Sequence, residues 1–197
     1  HRLLSRFEFK KTIRFVAFAI EEPPFTFKKE MSSIRYAKQC KQKREKINLV
    51  IVLDMIGFAD RKIDQVYPAQ VPHGKYPEKA DFLAVVTFPS FAEYAFLWKK
   101  LHEKISKNPI LEIIWPASYH GVDFSDHTSF MKEGIPAILI TDTGFYRNKN
   151  YHSSSDTIDS INFSFLIENI ISIYKIVKQL LNLDSRLGLN HIENMED

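Results

Sequence analysis

Cysteine is almost missing from this sequence: Cys40 is the single one among 197 residues. One thiol cannot close a disulfide within the chain, and it rules out a zinc site built from thiolates. A lone cysteine fits a reducing compartment. The cytoplasm is therefore the first expectation, with the periplasm or the exterior as the alternative should a leader precede these residues. No signal peptide is visible, although the chain opens on His1 rather than methionine. Long apolar runs are missing too, since none approaches the roughly 20 residues of a bilayer span. So is a surplus of charge of one sign. The formal net charge is only +3, and bases are interspersed with acids, which offers nucleic acid no basic face. The one dense basic stretch, Lys38 to Lys46, reads as a solvated helix face. There is no internal repeat and no low-complexity segment.

What is present is an ordinary globular composition, 45% hydrophobic and 26% charged, with enough apolar material to bury a sizeable core. The length suits one domain. Residues 1–6 read as the end of a helix and Phe7 to Lys11 as a basic linker. Apolar, β-rich runs predict buried strands at Thr12 to Ile20 (TIRFVAFAI), Ile47 to Leu53 (INLVIVL), Asp81 to Phe88, Leu111 to Trp115 and Ile135 to Thr141. Between them, helices are predicted over Met31 to Glu45, from a cap at Ser90 to about Lys107, and over Asp126 to Glu133, ending at Gly134. Phe58 to Ala80, with Pro68, Pro72, Gly74 and Pro77, reads as a long loop. Asp142 to Ser160 is a polar loop. Asn162 to Leu183 is a long helix with an apolar stripe at Phe163, Leu166, Ile170, Tyr174, Val177 and Leu181. Val16, Phe18, Val50, Val52, Val85 and Ile138 are the predicted strand core. Strands alternating with helices imply an α/β fold: a mostly parallel mixed sheet with helices on both faces.

Acidic and imidazole residues sit where loops leave these strands, the edge at which open α/β sheets bind ligands. Glu21 and Glu22 follow the first strand, Asp54 follows the second, and His152 lies in the loop after the fifth. Carboxylates and an imidazole converging there suit a divalent metal, and zinc accepts both. A doubled glutamate has a specific use, because one carboxylate can ligate the metal while its neighbour acts as general base. On spacing alone, Glu21 and Glu22 read first as solvated residues at a strand end. Asp54 reads first as turn chemistry, and His152 as a surface-loop histidine.

The segments TIRFVAFAIEEPPF (Thr12 to Phe25), INLVIVLDMIG (Ile47 to Gly57), FSDHTSFMKEGIPAILITDTGFYRN (Phe124 to Asn148) and YHSSSDTIDSINF (Tyr151 to Phe163) change this balance. Their content and order resemble the co-catalytic zinc aminopeptidase family, which also includes glutamate carboxypeptidases and glutaminyl cyclases. The resemblance implies a zinc exopeptidase-like fold and peptide or aminoacyl substrates. It implies Glu21 as the general base, Glu22 and His152 as ligands of one zinc, and Asp54 as ligand of a second. It puts Tyr151, Tyr146 and Arg147 on the substrate side of the last loop. Asp126, in the Ser125-Asp126-His127 signature, would orient a ligand or substrate group through a hydrogen bond. His127 would be structural, and Asp156 and Thr157 would shape the loop behind His152.

One departure bears on the cofactor. The family's first histidine ligand and its bridging aspartate precede the TIRFVAF-type strand, and no residue here takes their place. The expectation is a domain over residues 1–197 that lacks its N-terminal part, with 184–197 a frayed tail. The complete enzyme would hold one or two zinc ions, and this chain a partial set or none. Three readings follow: an exopeptidase, a catalytically impaired relative serving as a binding module, and a glutaminyl-cyclase-like acyltransferase. The last ranks third because Tyr151 stands where the cyclases carry tryptophan.

Overall fold

The computed structural model describes residues 2–72 and 74–183. His1 and the expected tail at 184–197 lie outside them. Four strands form the main sheet: β1 (Val50–Leu53), β4 (Leu83–Thr87), β5 (Ile110–Ile114) and β6 (Ala137–Thr141), in the order β1-β6-β4-β5. β1 runs parallel to β6, β5 runs parallel to β4, and β4 is antiparallel to β6. The sheet is thus mixed with parallel pairs in the majority, as the alternation of elements predicts.

Alternation along the strands decides what each face packs against. Leu83 and Val85 of β4, with Ile138 and Ile140 of β6, point to the face covered by α2 (Ala92–Ile105) and α4 (Phe163–Asn182), where Trp98, Phe165 and Ile176 complete the core. Each fully buried side chain of this size contributes roughly 1.5–3 kcal/mol. On the other face, Ala137 lies under α1 (Ser32–Gln42) and α3 (His127–Lys132), with Phe130 and Cys40 between. The rest of that face, Ala84, Val86, Ile113 and Leu139, lies under the loop carrying Trp115, Tyr119 and Val122. α3 ends where expected, at Gly134, whose φ of 78° suits a residue without Cβ. No helix among the described residues is long and apolar enough to cross a membrane.

Several expectations are corrected. Thr12 to Ile20 is not a strand. A strand needs a neighbour to take its backbone groups, and among the described residues β1 is paired with β6 alone. The segment instead lies along α1, with Ala19 N–H donating to Ser32 Oγ at 2.8 Å and Phe18 packed on Tyr36 and Phe130. Val16 is consequently 44% exposed. Val85 and Ile138 are fully buried as expected, whereas Val50 and Val52, on the edge strand, are half-buried. The expected loop at Phe58 to Ala80 contains a small antiparallel pair, β2 (Asp60–Asp64) and β3 (Lys79–Ala80), pinned by a Lys79–Asp64 ion pair at 2.5 Å. Polar strands this short carry no apolar alternation to read. Ser90 lies inside a 3-10 turn (Pro89–Phe91) and does not cap α2. Residues 4–6 form a single 3-10 turn.

The stripe on α4 is rotated by about one residue. Phe165, Asn169, Ser172, Ile173, Ile176 and Leu180 are buried, as is Leu181 of the expected stripe, whereas Phe163 and Ile170 are exposed and Leu166, Tyr174 and Val177 half-buried. The helix is apolar around most of its circumference, so periodicity alone does not choose the inward face. What chooses it is a polar network. Asn169 donates to the Ile56 carbonyl at 2.9 Å and accepts from Asn108, and Ser172 meets His102 Nδ1 at 2.9 Å.

Candidate active site

Asp54 follows directly on β1, and its N–H extends the ladder by donating to the Ile140 carbonyl at 3.1 Å. Its Oδ2 accepts from Ser125 Oγ at 2.7 Å, which ties the end of β1 to the start of α3. Glu21 and Glu22 reach the same place from the other side through a left-handed residue, Ile20, with φ 61°. His152 is itself left-handed, with φ 57°. Such backbone in residues other than glycine costs roughly 1–3 kcal/mol and clusters at functional sites. It brings His152 Nε2 to 3.0 Å from Glu22 Oε1, while the imidazole stacks on Tyr151 with centroids 3.9 Å apart.

The electrostatics report the same convergence. The Glu21 carboxyl is pushed up to about 7, first by burial and then by the charges of Asp54, Glu22 and Asp126. Burial also raises the Tyr151 hydroxyl to about 12, with Glu22, Asp54 and Glu21 adding to it. Asp126 is raised by burial and by Asp54, against a hydrogen bond from Ser33. Four carboxylates, one imidazole and one phenol from four segments thus gather at one edge of the sheet. The structure therefore brings together Glu21, Glu22, Asp54, Asp126, Tyr151 and His152.

Three further residues stand behind the site. His127 is fully buried, with Nε2 2.9 Å from the Val122 carbonyl. Asp156 accepts from Asn148 and Ser160 at 3.0 and 3.2 Å, and Thr157 heads the 3-10 turn that follows. Tyr146 stands on the wall of the recess beside the site, its hydroxyl donating to the His120 carbonyl at 2.7 Å. Arg147 does not. It is 2% exposed and faces away from the substrate side. Its guanidinium donates to Gln65 at 2.9 Å and to the Phe82 carbonyl at 2.8 Å, and lies 4.5 Å from the centre of the Phe82 ring. Burial pushes it down to about 10. The buried acceptors under the loop need a multidentate donor, and arginine supplies one.

Sequence reasoning missed Asp142 and the aromatic recess. Asp142 is buried and accepts from the N–H groups of Gly57 at 2.9 Å, Phe58 at 2.8 Å and Gly144 at 3.1 Å. It clamps the loop after Asp54 to the loop after β6. The recess is lined by Trp115, His120, Phe124, Phe145 and Tyr151 among others. The density of aromatics in WPASYHGVDF and GFYRNKNYH was the available signal.

Zinc at a catalytic site takes about three protein ligands. Glu22 and His152 already touch and offer two, and Asp54 is hydrogen-bonded to Ser125 instead. Among the described residues, no group of three or more His, Cys, Asp or Glu side chains is placed to hold a metal ion. The residues present therefore fit part of a zinc site and leave its coordination incomplete.

Residues 1–176 match the model of Peptidase family M28, and the chain belongs to that family. The uncharacterized protein YfbL of Escherichia coli (strain K12) is 37% identical over 163 residues, which is 82% of this chain and 50% of YfbL. LapA of Legionella pneumophila superposes with a TM-score of 0.69 at 21% identity, over 92% of this chain and 44% of LapA. BSAP, a zinc aminopeptidase from Bacillus subtilis, superposes with a TM-score of 0.64 at 21% identity, over 95% of this chain and 40% of BSAP. These structural likenesses establish the fold. The chain spans about half the length of the curated relative it matches.

Proposed function

We propose that the chain forms one side of an exopeptidase site of the aminopeptidase type, which hydrolyses peptide or aminoacyl amide bonds. The observation that carries this reading is the Glu22–His152 pair, with Nε2 3.0 Å from Oε1, beside which Glu21 is the next residue in sequence and faces the charges of Asp54 and Asp126. A general base must stand within reach of the water it activates. Glu21 takes a proton from the attacking water and delivers it to the departing amine. Glu22 and His152 would hold one zinc ion and Asp54 would face a second. Bound zinc supplies Lewis acidity toward the carbonyl under attack. Ser125 holds the Asp54 carboxylate in orientation through its 2.7 Å hydrogen bond.

A second reading, a binding module without turnover, is favoured by the incomplete ligand set. The two separate in one experiment. Zinc content and aminoacyl-amide hydrolysis are measured for this chain and for the complete polypeptide of its gene, each with and without Glu21→Gln. The expectation is weak zinc uptake and little or no hydrolysis by the chain alone, and turnover by the complete polypeptide. Glu21→Gln should then lower the rate by roughly 10²–10⁴-fold with zinc content unchanged. A complete polypeptide that holds zinc and hydrolyses nothing would establish the binding module instead. Full activity of this chain alone, lost in Glu21→Gln, would show that no further ligand is needed.

A further inference from the structure

The basic stretch that reads in sequence as a solvated helix face has aromatic company in the fold. From Lys28 to Lys46 the chain carries eight bases and two acids, whereas its whole net charge is +3, so the remainder is net negative. α1 itself contains no acidic residue. Its inner side, Ser33, Ala37 and Cys40, is buried, which leaves Arg35 and Lys38 on the outer side and Lys41 on the flank, all exposed. Lys43, Arg44 and Lys46 continue the charge past one end of the helix, and Lys28 and Lys29 precede the other, exposed as well. Glu45 is taken by Arg14 at 2.8 Å, and Glu133 of the turn after α3 reaches Lys41 at 3.0 Å. Bases near the last turn also suit the negative end of the helix dipole, which accounts for neither Lys28, Lys29 and Arg35 nor what lies beside them. Before α1 two phenylalanines stand in solvent, Phe25 at 43% and Phe27 at 44% exposure. The turn that presents them is built, with Lys28 N–H donating to the Phe25 carbonyl at 2.9 Å and Met31 N–H to the Lys28 carbonyl at 3.0 Å. Phe27 holds a left-handed φ of 64°, backbone that disfavours a residue with Cβ. Its ring meets Phe124 edge-on at 6.0 Å and lies 5.0 Å from the Lys132 ammonium.

We propose that this surface docks on an anionic bilayer, with the bases of α1 and its flanks over the headgroups and Phe25 and Phe27 entering the interface. Six of the eight bases are lysines. Ammonium groups are point charges on mobile stems and suit a fluid layer of headgroups, whereas a fixed phosphate site calls for arginine forks. Each base near an anionic surface adds an increment of attraction that salt screens. An aromatic side chain that leaves water then anchors what the charges attract. The net negative remainder of the chain turns this side toward such a surface during approach. A nucleic acid duplex would be served by the bases alone, and the two rings decide for the bilayer. The inference uses none of Glu21, Glu22, Asp54 and His152 and stands apart from the peptidase reading.

The test is cosedimentation of the complete polypeptide with vesicles of phosphatidylcholine containing about 30% phosphatidylglycerol, and with vesicles of phosphatidylcholine alone. Partition should be at least about tenfold stronger on the anionic vesicles and should fall steeply as sodium chloride rises from about 0.05 to 0.5 M. Lys38→Ala with Lys43→Ala should weaken it roughly 25-fold, about fivefold for each base. Lys62→Ala with Lys175→Ala removes the same charge from other exposed positions and should change it by less than about threefold. Phe25→Ser should weaken partition roughly tenfold, and Phe25→Trp should show a blue-shifted emission on anionic vesicles that the unsubstituted protein lacks. No partition above that on phosphatidylcholine, equal weakening by the two lysine pairs, or a Phe25→Trp emission unmoved by vesicles would overturn the inference. A single-stranded oligonucleotide bound in preference to the anionic vesicles, and released by the Lys38 and Lys43 substitutions, would assign the face to nucleic acid instead.

Discussion

At the scale of single residues, Asp142 organises the site without being part of its chemistry. Its carboxylate takes N–H groups from Gly57, Phe58 and Gly144, and its own N–H donates to the Met55 carbonyl at 2.6 Å. The loop after Asp54 and the loop leading to His152 are thus held through one side chain. Asp142→Ala leaves three donors without their acceptor. Hydrogen bonds to a charged group are worth about 1.5–3 kcal/mol, and an unpaired buried donor costs a similar amount. The variant should lose roughly 2–4 kcal/mol in urea unfolding, and a loss below half a kilocalorie would show that the clamp is unimportant. The contrast with Arg147 is instructive. A charged residue in a loop beside a site reads from sequence as a substrate contact. Burial and the carbonyls of Phe82 and Phe58 make it a brace instead.

At the scale of elements, α4 shows how far periodicity reaches. Its start is local chemistry: Asn162 Oδ1 accepts from Phe165 N–H at 3.0 Å, and Asn162→Ala should cost about 0.5–2 kcal/mol. Its inward face is not local chemistry. Ile176 is 0% and Ile167 55% exposed, although both belong to apolar stripes. Ile176→Ala should cost roughly 2–5 kcal/mol, and Ile167→Ala should stay within about 0.5 kcal/mol of zero. The reverse order in thermal or urea unfolding would restore the stripe through Ile170. The segment at Thr12 to Ile20 gives a second check. Its apolar content is that of a buried strand, but its backbone is not in the sheet. Amides 13–17 should exchange with solvent much faster than those of β6, whose N–H groups sit in the middle of the sheet. Protection equal to that of β6 would contradict the fold described.

At the scale of the whole molecule, two buried histidines couple stability to pH. His127 is pushed down to about 4 from an ordinary 6.5 by burial, and His102 is also lowered, first by burial. Both are neutral in the folded protein. Below about 6.5 the unfolded chain takes up protons that the folded one does not, so stability falls as pH falls. The contribution is full above pH 6.5, is lost progressively down to about pH 4, and changes no further below that. For His127 the whole span is worth roughly 3 kcal/mol. The raised carboxyl of Glu21 acts with the opposite sign over much of this range, so the reading is a difference: the stability that the unsubstituted protein holds over His127→Gln should shrink as pH falls from 6.5 to 4. A difference that stays constant through this range would refute the assignment.

Order and chemistry along the chain were legible in the sequence because they are local. The strand runs at Val50–Leu53, Leu83–Thr87, Ile110–Ile114 and Ala137–Thr141 declare themselves by composition. The cap at Asn162 and the left-handed end at Gly134 depend on near neighbours only. Glu21, Glu22, Asp54 and His152 stand just after apolar runs or in the last polar loop; for Asp54 and His152 the shared edge follows from α/β topology, whereas Glu21 and Glu22 reach it from a segment outside the sheet. Tertiary structure alone decided the rest, since each remaining choice depends on residues far apart in the chain. Whether Thr12 to Ile20 becomes a strand depends on a neighbour to pair with, not on its own side chains. Which stripe of α4 turns inward depends on His102, Asn108 and the Ile56 carbonyl. Arg147 is a brace because Phe82 and Gln65 meet it from beneath. The aromatic recess exists only because three strands and four loop segments, separated by up to about half of the chain, close around one space.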